Sequence, residues 1–399
     1  MTETNRFIVA LAETLHKNGL PAHRLENTMQ QICRSLGKDV EFSVTPELLL
    51  ISFSEGENNG VVMRKFSGTD LHIEKMVLLH RLINNCLNDP FTIQEAQTEL
   101  ARINQLPNRY SGWMDTLAIG ISTSSAACLF GGSYPEILVS ACIGLVIGLL
   151  FQSLRFFPNL GKLTVLFAAA FALFFARWMM QSLGVYSVEI ATITGLILLI
   201  PGFTLSLSIT ELANGHAQSG TVRFSGAIVT FIMIGVGIGL GNYFAGMLPN
   251  VVVKNEWSPS PGWLSYIALL FVPAGFLVLF RARLSSYFLM LVACGIAYFS
   301  MQFYGQFELG PLTVFLASLT LGAITNLTGS FIKTPVTLML VPGIILLVPG
   351  SIGFKSIEML MNADTLNGLE GAFQTLVSAV SLTVGLLFAN MLIPSGKAF

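Results

Sequence analysis

From Trp113 onward the sequence is a series of apolar segments separated by short polar or Pro-Gly-rich breaks. Each segment is about 17 to 24 residues long, and roughly 20 helical residues cross a bilayer core of about 30 Å. We therefore predict a mainly α-helical membrane protein with ten transmembrane helices. The predicted spans are residues 113–130, 134–152, 162–180, 186–204, 226–249, 263–281, 285–304, 310–327, 336–352 and 372–394. Composition agrees, since only 11% of the residues are charged, against roughly a quarter in soluble proteins.

The first 110 residues carry charges between shorter apolar patterns. Helical spacing recurs in RFIVALAETLHKNG and PAHRLENTMQQICRSLG, and again in DLHIEKMVLLHRLINNCL and TIQEAQTELARINQ. Between these pairs, DVEFSVTPELLLISFS and NGVVMRKFS have the pattern of strands. We predict a small soluble α+β domain at residues 1–110, followed by membrane units at residues 111–250 and 251–399.

The two membrane units look like copies of each other. The pair Pro201-Gly202 recurs at Pro349-Gly350, 148 residues later. Other matches at that offset are Gly195 with Gly343, Ser208-Ile209 with Ser356-Ile357, Gly220 with Gly368, and Asn242 with Asn390. Because each predicted copy has an odd number of spans, the second copy must enter the membrane from the opposite side. We therefore predict two inverted five-helix repeats, an architecture common in secondary transporters.

Positive charges in the predicted loops set the orientation, because cytoplasmic loops carry an excess of Lys and Arg. With a cytosolic N-terminal domain, nine charges lie inside: Arg102, Arg109, Arg155, Lys162, Arg223, Arg281, Arg283, Lys333 and Lys397. Three lie outside: Arg177, Lys254 and Lys355. This count predicts that both termini are cytoplasmic.

The Pro-Gly breaks are the candidate substrate site. A proline inside a helix leaves a carbonyl without its donor, and in a bilayer such groups are tolerated where they face protein or a water-filled cavity. The candidate substrate-binding residues at and around the breaks are Thr192, Thr194, Pro201, Gly202, Ser206, Ser208, Asn242, Pro342, Gly343, Pro349, Gly350 and Asn390. The competing interpretation is a hydrogen bond from each hydroxyl to its own helix, and interhelical hydrogen bonding for the two asparagines.

The polar loop SITELANGHAQSGTVRF follows the first break and holds Glu211 and Arg223. Ionisable residues beside a membrane cavity are candidates for coupling or gating. Glu358 lies next to the position that matches Glu211 in the second copy. Two roles stay open for Glu211: a proton carrier, or one half of a structural salt bridge with Arg223. The glycines of IGVGIGLGN, by contrast, predict close helix packing.

Several classes of site have no support in the sequence. The five cysteines and five histidines show no metal-ligand spacing, and no Ser, His and Asp set occurs together in the spans. We expect no metal, no cofactor and no enzyme activity. The net charge of −1 argues against a nucleic-acid partner. The expected partners are a small-molecule substrate and membrane lipid, and both a monomer and a homo-oligomer stay open.

The chain resembles the threonine/serine exporter family, whose relatives include two-component proteins linked to dicarboxylate export. The resemblance lies in LHKNGLPAHRLENTMQQICRSLG, with its Leu-x-x-x-Gly-x-x-x-x-Arg-x-Glu pattern, and in VEFSVTPELLLISFS. It continues in LFGGSYPE, NLGKL, LLIPGFTLSLSITELANGHAQSGTVR and LVPGIILLVPGS. Glu211 stands where the family usually has Asp, and GGSYPE lacks the aspartate often seen after the paired glycines.

This resemblance implies a secondary exporter of threonine and serine in the cell inner (plasma) membrane, driven by the proton gradient as an antiporter. An exporter of dicarboxylates such as succinate is the alternative. A third possibility, of another class, is a membrane sensor or intramembrane enzyme in which the soluble domain is the active part.

Overall fold

A computed structural model describes residues 2–55, 58–66, 68, 70–88, 92–154, 157–183, 187–248, 259–332 and 334–394. Its N-terminal part contains four helices and a three-stranded antiparallel sheet in the order β1-β2-β3, so the predicted α+β composition is confirmed. The helices are α1 (Glu3–Lys17), α2 (Ala22–Ser35), α3 (Ile73–Asn88) and α4 (Ile93–Asn104). The strands are β1 (Val40–Val44), β2 (Leu48–Glu55) and β3 (Asn58–Lys65).

Local signals in the sequence explain these elements. Thr2 caps α1 by accepting a hydrogen bond from the Asn5 amide at 3.2 Å, and Thr92 and Glu95 form a capping box at the start of α4. Strand β1 alternates buried and exposed residues, and Phe42 pairs with Ile51 of β2. The apolar faces of the helices and the sheet share one core, which includes Phe7, Leu11, Leu15, Leu25, Met29 and Ile51.

Twelve further α-helices follow in the described residues. The first six are α5 (Gly112–Leu129), α6 (Tyr134–Ser153), α7 (Thr164–Leu183), α8 (Val188–Gly195), α9 (Gly202–Ala213) and α10 (Ala217–Ala245). The second six are α11 (Gly262–Leu279), α12 (Tyr287–Gly305), α13 (Pro311–Ile332), α14 (Thr337–Leu347), α15 (Gly350–Met361) and α16 (Thr365–Leu392). Each half thus has the same succession of three helices, a broken pair and one long helix.

Eight helical segments among the described residues are long and apolar enough to cross a membrane, so a multi-span membrane protein is confirmed and the count of ten stays a prediction. Two of the ten predicted spans have no counterpart among the eight: residues 113–130, where α5 carries Asp115 and several hydroxyl residues, and residues 186–204, where α8 and α9 form a broken pair. The spans predicted at 186–204 and 336–352 extend further than expected. Each consists of two helices, and α9 and α15 continue to Ala213 and Met361 because the chain resumes a helix after each Pro-Gly pair. Likewise α10 begins at Ala217, well before residue 226.

Equivalent helices of the two halves pack in equivalent ways. Helix α5 packs on α6 as α11 packs on α12, and α7 packs on α10 as α13 packs on α16. The two halves also contact each other, since α9 lies against α16 and α15 lies against α10. These pairings agree with a duplicated unit, while its inverted orientation in the membrane stays a prediction. Of the charges used for orientation, Arg155, Lys254, Lys333 and Lys397 lie outside the described residues.

The two Pro-Gly breaks cross each other in direct contact. A Cβ atom added to Gly202 would overlap Val348 Cγ1 and would lie 3.0 Å from the Gly350 Cα. Only glycine permits this approach of the two backbones. Glycines bring other helices together as well, because a Cβ at Gly237 would lie 2.5 Å from the Leu166 carbonyl oxygen on α7. The glycine-rich segment of α10 therefore has the packing role that its sequence indicated.

The N-terminal domain docks on the turn after α11. The Ile73 amide donates to the Phe280 carbonyl at 2.9 Å, and Glu74 Oε1 binds Arg283 Nε at 2.7 Å and Arg109 Nη2 at 3.1 Å. Burial opposes ionisation of Glu74, but hydrogen bonds and charges from the two arginines hold the pKa of its carboxyl below the usual range. The carboxylate is therefore ionised at neutral pH and fixes α3 to the membrane domain.

Candidate functional site

A cavity of about 400 Å³ lies between α2 of the N-terminal domain and helices α9, α13, α14 and α16. It therefore takes its walls from both membrane halves and from the cytosolic domain of the predicted topology. Its polar lining residues are His23, Arg24, Asn27, Thr28, Gln31, Ser206, Thr210, Asn214, Asn326, Thr337, Thr383 and Asn390. Cavities of this size hold small organic ligands.

Two of the predicted substrate-binding residues, Ser206 and Asn390, line this cavity. Asn390 Oδ1 accepts a hydrogen bond from Asn326 Nδ2 at 2.7 Å, and the same Nδ2 also donates to the Ile393 carbonyl at 2.9 Å. Pro342 and Gly343 are not themselves lining residues, but their neighbours Val341 and Ile344 are. The cavity thus lies alongside the proline inside α14.

The other predicted hydroxyls bond to their own helices. Thr192 Oγ1 donates to the Val188 carbonyl at 2.8 Å and Thr194 Oγ1 to the Ile190 carbonyl at 2.6 Å. Ser208 Oγ donates to the Leu205 carbonyl at 2.6 Å. None of these three residues lines the cavity.

The remaining predicted residues are also apart from the cavity. Pro201, Gly202, Pro349 and Gly350 lie at the crossing of the breaks, where they permit the contact described above. Asn242 Oδ1 is buried on α10, and no hydrogen-bond partner for it exists among the described residues. Asn242 and Asn390 match in sequence, yet only the second reaches the cavity.

Two buried hydroxyls of the cavity wall lack a partner within the part of the chain that the structure describes. Ser206 Oγ and Thr337 Oγ1 make no hydrogen bond there, although the two residues are only 2% and 6% exposed. More than about nine in ten buried polar groups in proteins are paired. These two hydroxyls are therefore available to a polar ligand in the cavity.

The cavity has one charged lining side chain, Arg24, and the neighbouring His23. Burial, with the charges of Arg24, His216 and Arg223, lowers the pKa of His23 to about 3, so its ring is neutral at pH 7. Burial also lowers the pKa of Arg24, but a guanidinium stays protonated at physiological pH. No Asp or Glu of the described chain is among the lining residues, so the described lining is cationic.

Arg24 and His23 are functional candidates that sequence reasoning missed. Nothing in the sequence alone shows that α2 reaches a cavity between membrane helices, so the sequence leaves the role of the N-terminal domain open. A signal did exist: Arg24 is the arginine of the Leu-x-x-x-Gly-x-x-x-x-Arg-x-Glu pattern. Thr337 and Asn326 carried no comparable signal, since isolated polar residues are common on helices that pack together in membranes.

Glu211 lies next to the cavity, fully buried where α9, α10 and α2 meet. Its Oε2 accepts hydrogen bonds from Ser219 Oγ at 2.8 Å and Arg223 Nε at 3.0 Å, and its Oε1 accepts one from the Ala22 amide at 3.3 Å. The predicted pair of Glu211 and Arg223 is thus an ion pair that also holds the N-terminus of α2.

A second link lies one helical turn further along α2. Glu26 Oε2 bonds to His216 Nε2 at 2.9 Å, while Glu26 Oε1 accepts from the Val44 amide at 3.1 Å. Glu26 therefore attaches the turn between α9 and α10 to α2, and its other oxygen ties α2 to β1.

Glu358, the third residue predicted for coupling or gating, lies away from the cavity on α15. It is partly buried near Glu189, Lys355 and Arg177. Lys355 Nζ forms its ion pair with Glu189 Oε1 at 2.7 Å. The structure therefore does not bring Glu358 together with Glu211.

Comparisons with known proteins agree with the membrane architecture. Two family models for threonine/serine exporters match residues 6–245 and 263–392. The chain is similar to pheromone-regulated membrane protein 10 of Eremothecium gossypii, with 26% identity over 98% of this chain and 55% of that protein. It is 25% identical to the protein of that name from Kluyveromyces lactis, over 100% of this chain and 44% of the relative. The chain thus spans about half the length of the curated relatives it matches, and no solved structure matches it.

Proposed function

Because the chain belongs to the threonine/serine exporter family, we propose that it exports small polar amino acids, serine and threonine above all, and is not an enzyme. The observation that carries the proposal is the cavity between the two halves, where the buried hydroxyls of Ser206 and Thr337 have no partner among the described residues. Hydroxyl, amide and guanidinium groups can together bind the carboxylate and hydroxyl of such a substrate.

The proposed mechanism is alternating access around the crossed breaks. The cavity lies beside α9 on the side that faces the N-terminal domain. The matching position beside α15 is filled, since Phe354, the counterpart of Ser206, is only 1% exposed and packs in a core cluster with Phe231 and Ala379. We infer that the structure is open toward the cytoplasm and closed at the opposite side.

The proposed location is the cell inner (plasma) membrane with both termini cytoplasmic, and the proposed driving force is the proton gradient. The contacts of Glu211 support its structural role over that of proton carrier, because three donors already bind its two oxygens.

The second candidate substrate is a dicarboxylate such as succinate. Its support is the charge of the cavity, whose described lining includes Arg24 and no acidic residue. An amino acid must instead place its ammonium group against neutral acceptors such as the hydroxyl oxygens of Ser206 and Thr337. A dicarboxylate would in turn leave its second carboxylate without a cation in the lining.

Counterflow in proteoliposomes tests these proposals. Vesicles loaded with unlabelled serine, threonine or succinate are diluted into medium with a trace of the labelled compound. We expect serine and threonine to accumulate transiently and succinate to remain at the level of empty vesicles. Counterflow of succinate alone would replace the first substrate class by the second. Absence of counterflow for all three would remove the transport proposal and favour the sensor or enzyme alternative.

A further inference from the structure

We propose that Arg24 of the N-terminal domain is the residue that binds the substrate carboxylate, so that this domain forms part of the transport site. The inference deepens the proposed function and rests on it. The observation behind it is a guanidinium that a soluble-domain helix inserts into the wall of a cavity between membrane helices.

The position of Arg24 is fixed from both sides along α2. The Ala22 amide is bound to Glu211, two residues before it, and Glu26 is bound to His216, two residues after it. Both partners belong to the segment that follows the first Pro-Gly break. A binding group held this firmly loses little conformational entropy when a ligand arrives.

Within the described residues, no carboxylate forms an ion pair with Arg24. Six arginines of the described chain lie within 4.0 Å of a carboxylate: Arg64, Arg102, Arg109, Arg223, Arg281 and Arg283. The others apart from Arg24 are exposed to solvent: Arg6, Arg34, Arg81 and Arg177. Arg24 alone among the described arginines is partly buried without an acidic partner. A desolvated cation without an anion is costly, and a bound carboxylate would remove that cost.

The surroundings of Arg24 favour an organic carboxylate over other ligands. Among the residues that the structure describes, no acidic side chain lines the cavity to repel it. The adjacent His23 is neutral and can supply a further hydrogen bond. Guanidinium binds carboxylates with two parallel hydrogen bonds. The hydroxyls of Ser206 and Thr337 remain for the polar groups at the other end of the substrate.

The test compares wild-type protein with Arg24→Gln and Arg24→Lys in serine counterflow. The control is Arg34→Gln, which removes the same charge from an exposed position on the same helix. Unlabelled serine and serinamide compete with labelled serine, because serinamide keeps the hydroxyl and amine but lacks the carboxylate. Detergent-solubilised samples are checked for an unchanged thermal midpoint and monodisperse elution.

We expect Arg24→Gln to raise the KM for serine roughly 10- to 100-fold, the range of a charged hydrogen bond, while Arg34→Gln leaves it unchanged. Wild-type protein should prefer serine to serinamide by at least about tenfold, and Arg24→Gln should lose this preference. Arg24→Lys should retain part of it. An Arg24→Gln protein that still prefers serine to serinamide would overturn the inference even if its activity falls. Such a result would mean that another group recognises the carboxylate and that Arg24 has a purely structural role. Wild-type protein without counterflow would overturn the proposed function itself.

Discussion

The two halves of the membrane domain share a helical plan but differ in the chemistry of their broken spans. In the first half, the helix after the Pro-Gly pair carries Ser206 and Glu211. The positions 148 residues later hold Phe354 and Met359. The first set opens a polar cavity and binds the N-terminal domain, whereas Phe354 is packed in the core. The two halves therefore share the backbone crossing, but of the two helices that follow the Pro-Gly pairs only α9 places polar side chains at the cavity within the described residues.

Each half also provides one docking point for the N-terminal domain. The first half uses the turn between α9 and α10, through Glu211 and His216. The second half uses the turn after α11, through Arg283 and the backbone of Phe280. The N-terminal domain thus contacts both halves on the side of the cavity. If the cavity closes on that side, at least one of these contacts must be strained or broken.

The largest effect should come from giving the first half the side chain of the second. Ser206→Phe places a phenyl ring in the cavity, and we expect serine counterflow to fall below about 1% of wild type because the substrate volume is lost. Ser206→Ala is the matched control. It removes a single hydrogen bond, so its loss should be only about tenfold or less.

Membrane levels and thermal midpoints of both variants are measured alongside transport. If a well-folded Ser206→Phe protein retains counterflow, the substrate does not pass through this cavity. The proposed functional difference between α9 and α15 would then be wrong.

The second-largest effect is expected at the buried ion pair of Glu211 and Arg223, which the second half lacks. Glu211→Gln and Arg223→Gln each leave a buried or partly buried partner uncompensated, which costs about 3–5 kcal/mol in proteins. We expect both variants to lose stability, and to lose exchange and proton-driven transport together. Transport is measured in both modes at two pH values.

The proton-carrier role of Glu211 gives a different result. Glu211→Gln would then abolish proton-driven accumulation and its pH dependence, while serine exchange and thermal stability stayed near wild type. Arg223→Gln would not reproduce that pattern. Unchanged transport and stability in both variants would exclude each role.

Much of the fold is readable in the sequence, because apolar length, Pro-Gly breaks and matched offsets are local signals. The positions of most membrane helices and of the two breaks follow from them. The cavity was less accessible to sequence reasoning. Ser206 and Ser208 lie two residues apart on one helix, and residues at that spacing point to different faces. Only Ser206 lines the cavity, while Ser208 Oγ donates to the Leu205 carbonyl. The sequence does not connect Arg24 with Ser206 or Thr337, because their position around one cavity depends on how the N-terminal domain docks on the membrane helices.

The smallest expected effect concerns the turns that end equivalent helices. Gly215 follows α9 with φ of +84°, and its counterpart Ala363 follows α15 with φ of +63°. A left-handed backbone costs a non-glycine residue roughly 1–2 kcal/mol, while glycine loses about 0.5–1 kcal/mol more in conformational entropy on folding. We therefore expect Ala363→Gly to stabilise the protein by about 0.5–1 kcal/mol and Gly215→Ala to destabilise it by a similar amount. A Cβ at Gly215 would meet no atom within 4 Å, so steric overlap does not confound the second substitution.

Thermal or denaturant unfolding of the solubilised protein measures both changes. Opposite signs would establish that the second half tolerates backbone strain that the first half avoids, whereas two neutral substitutions would show that the halves do not differ at this turn.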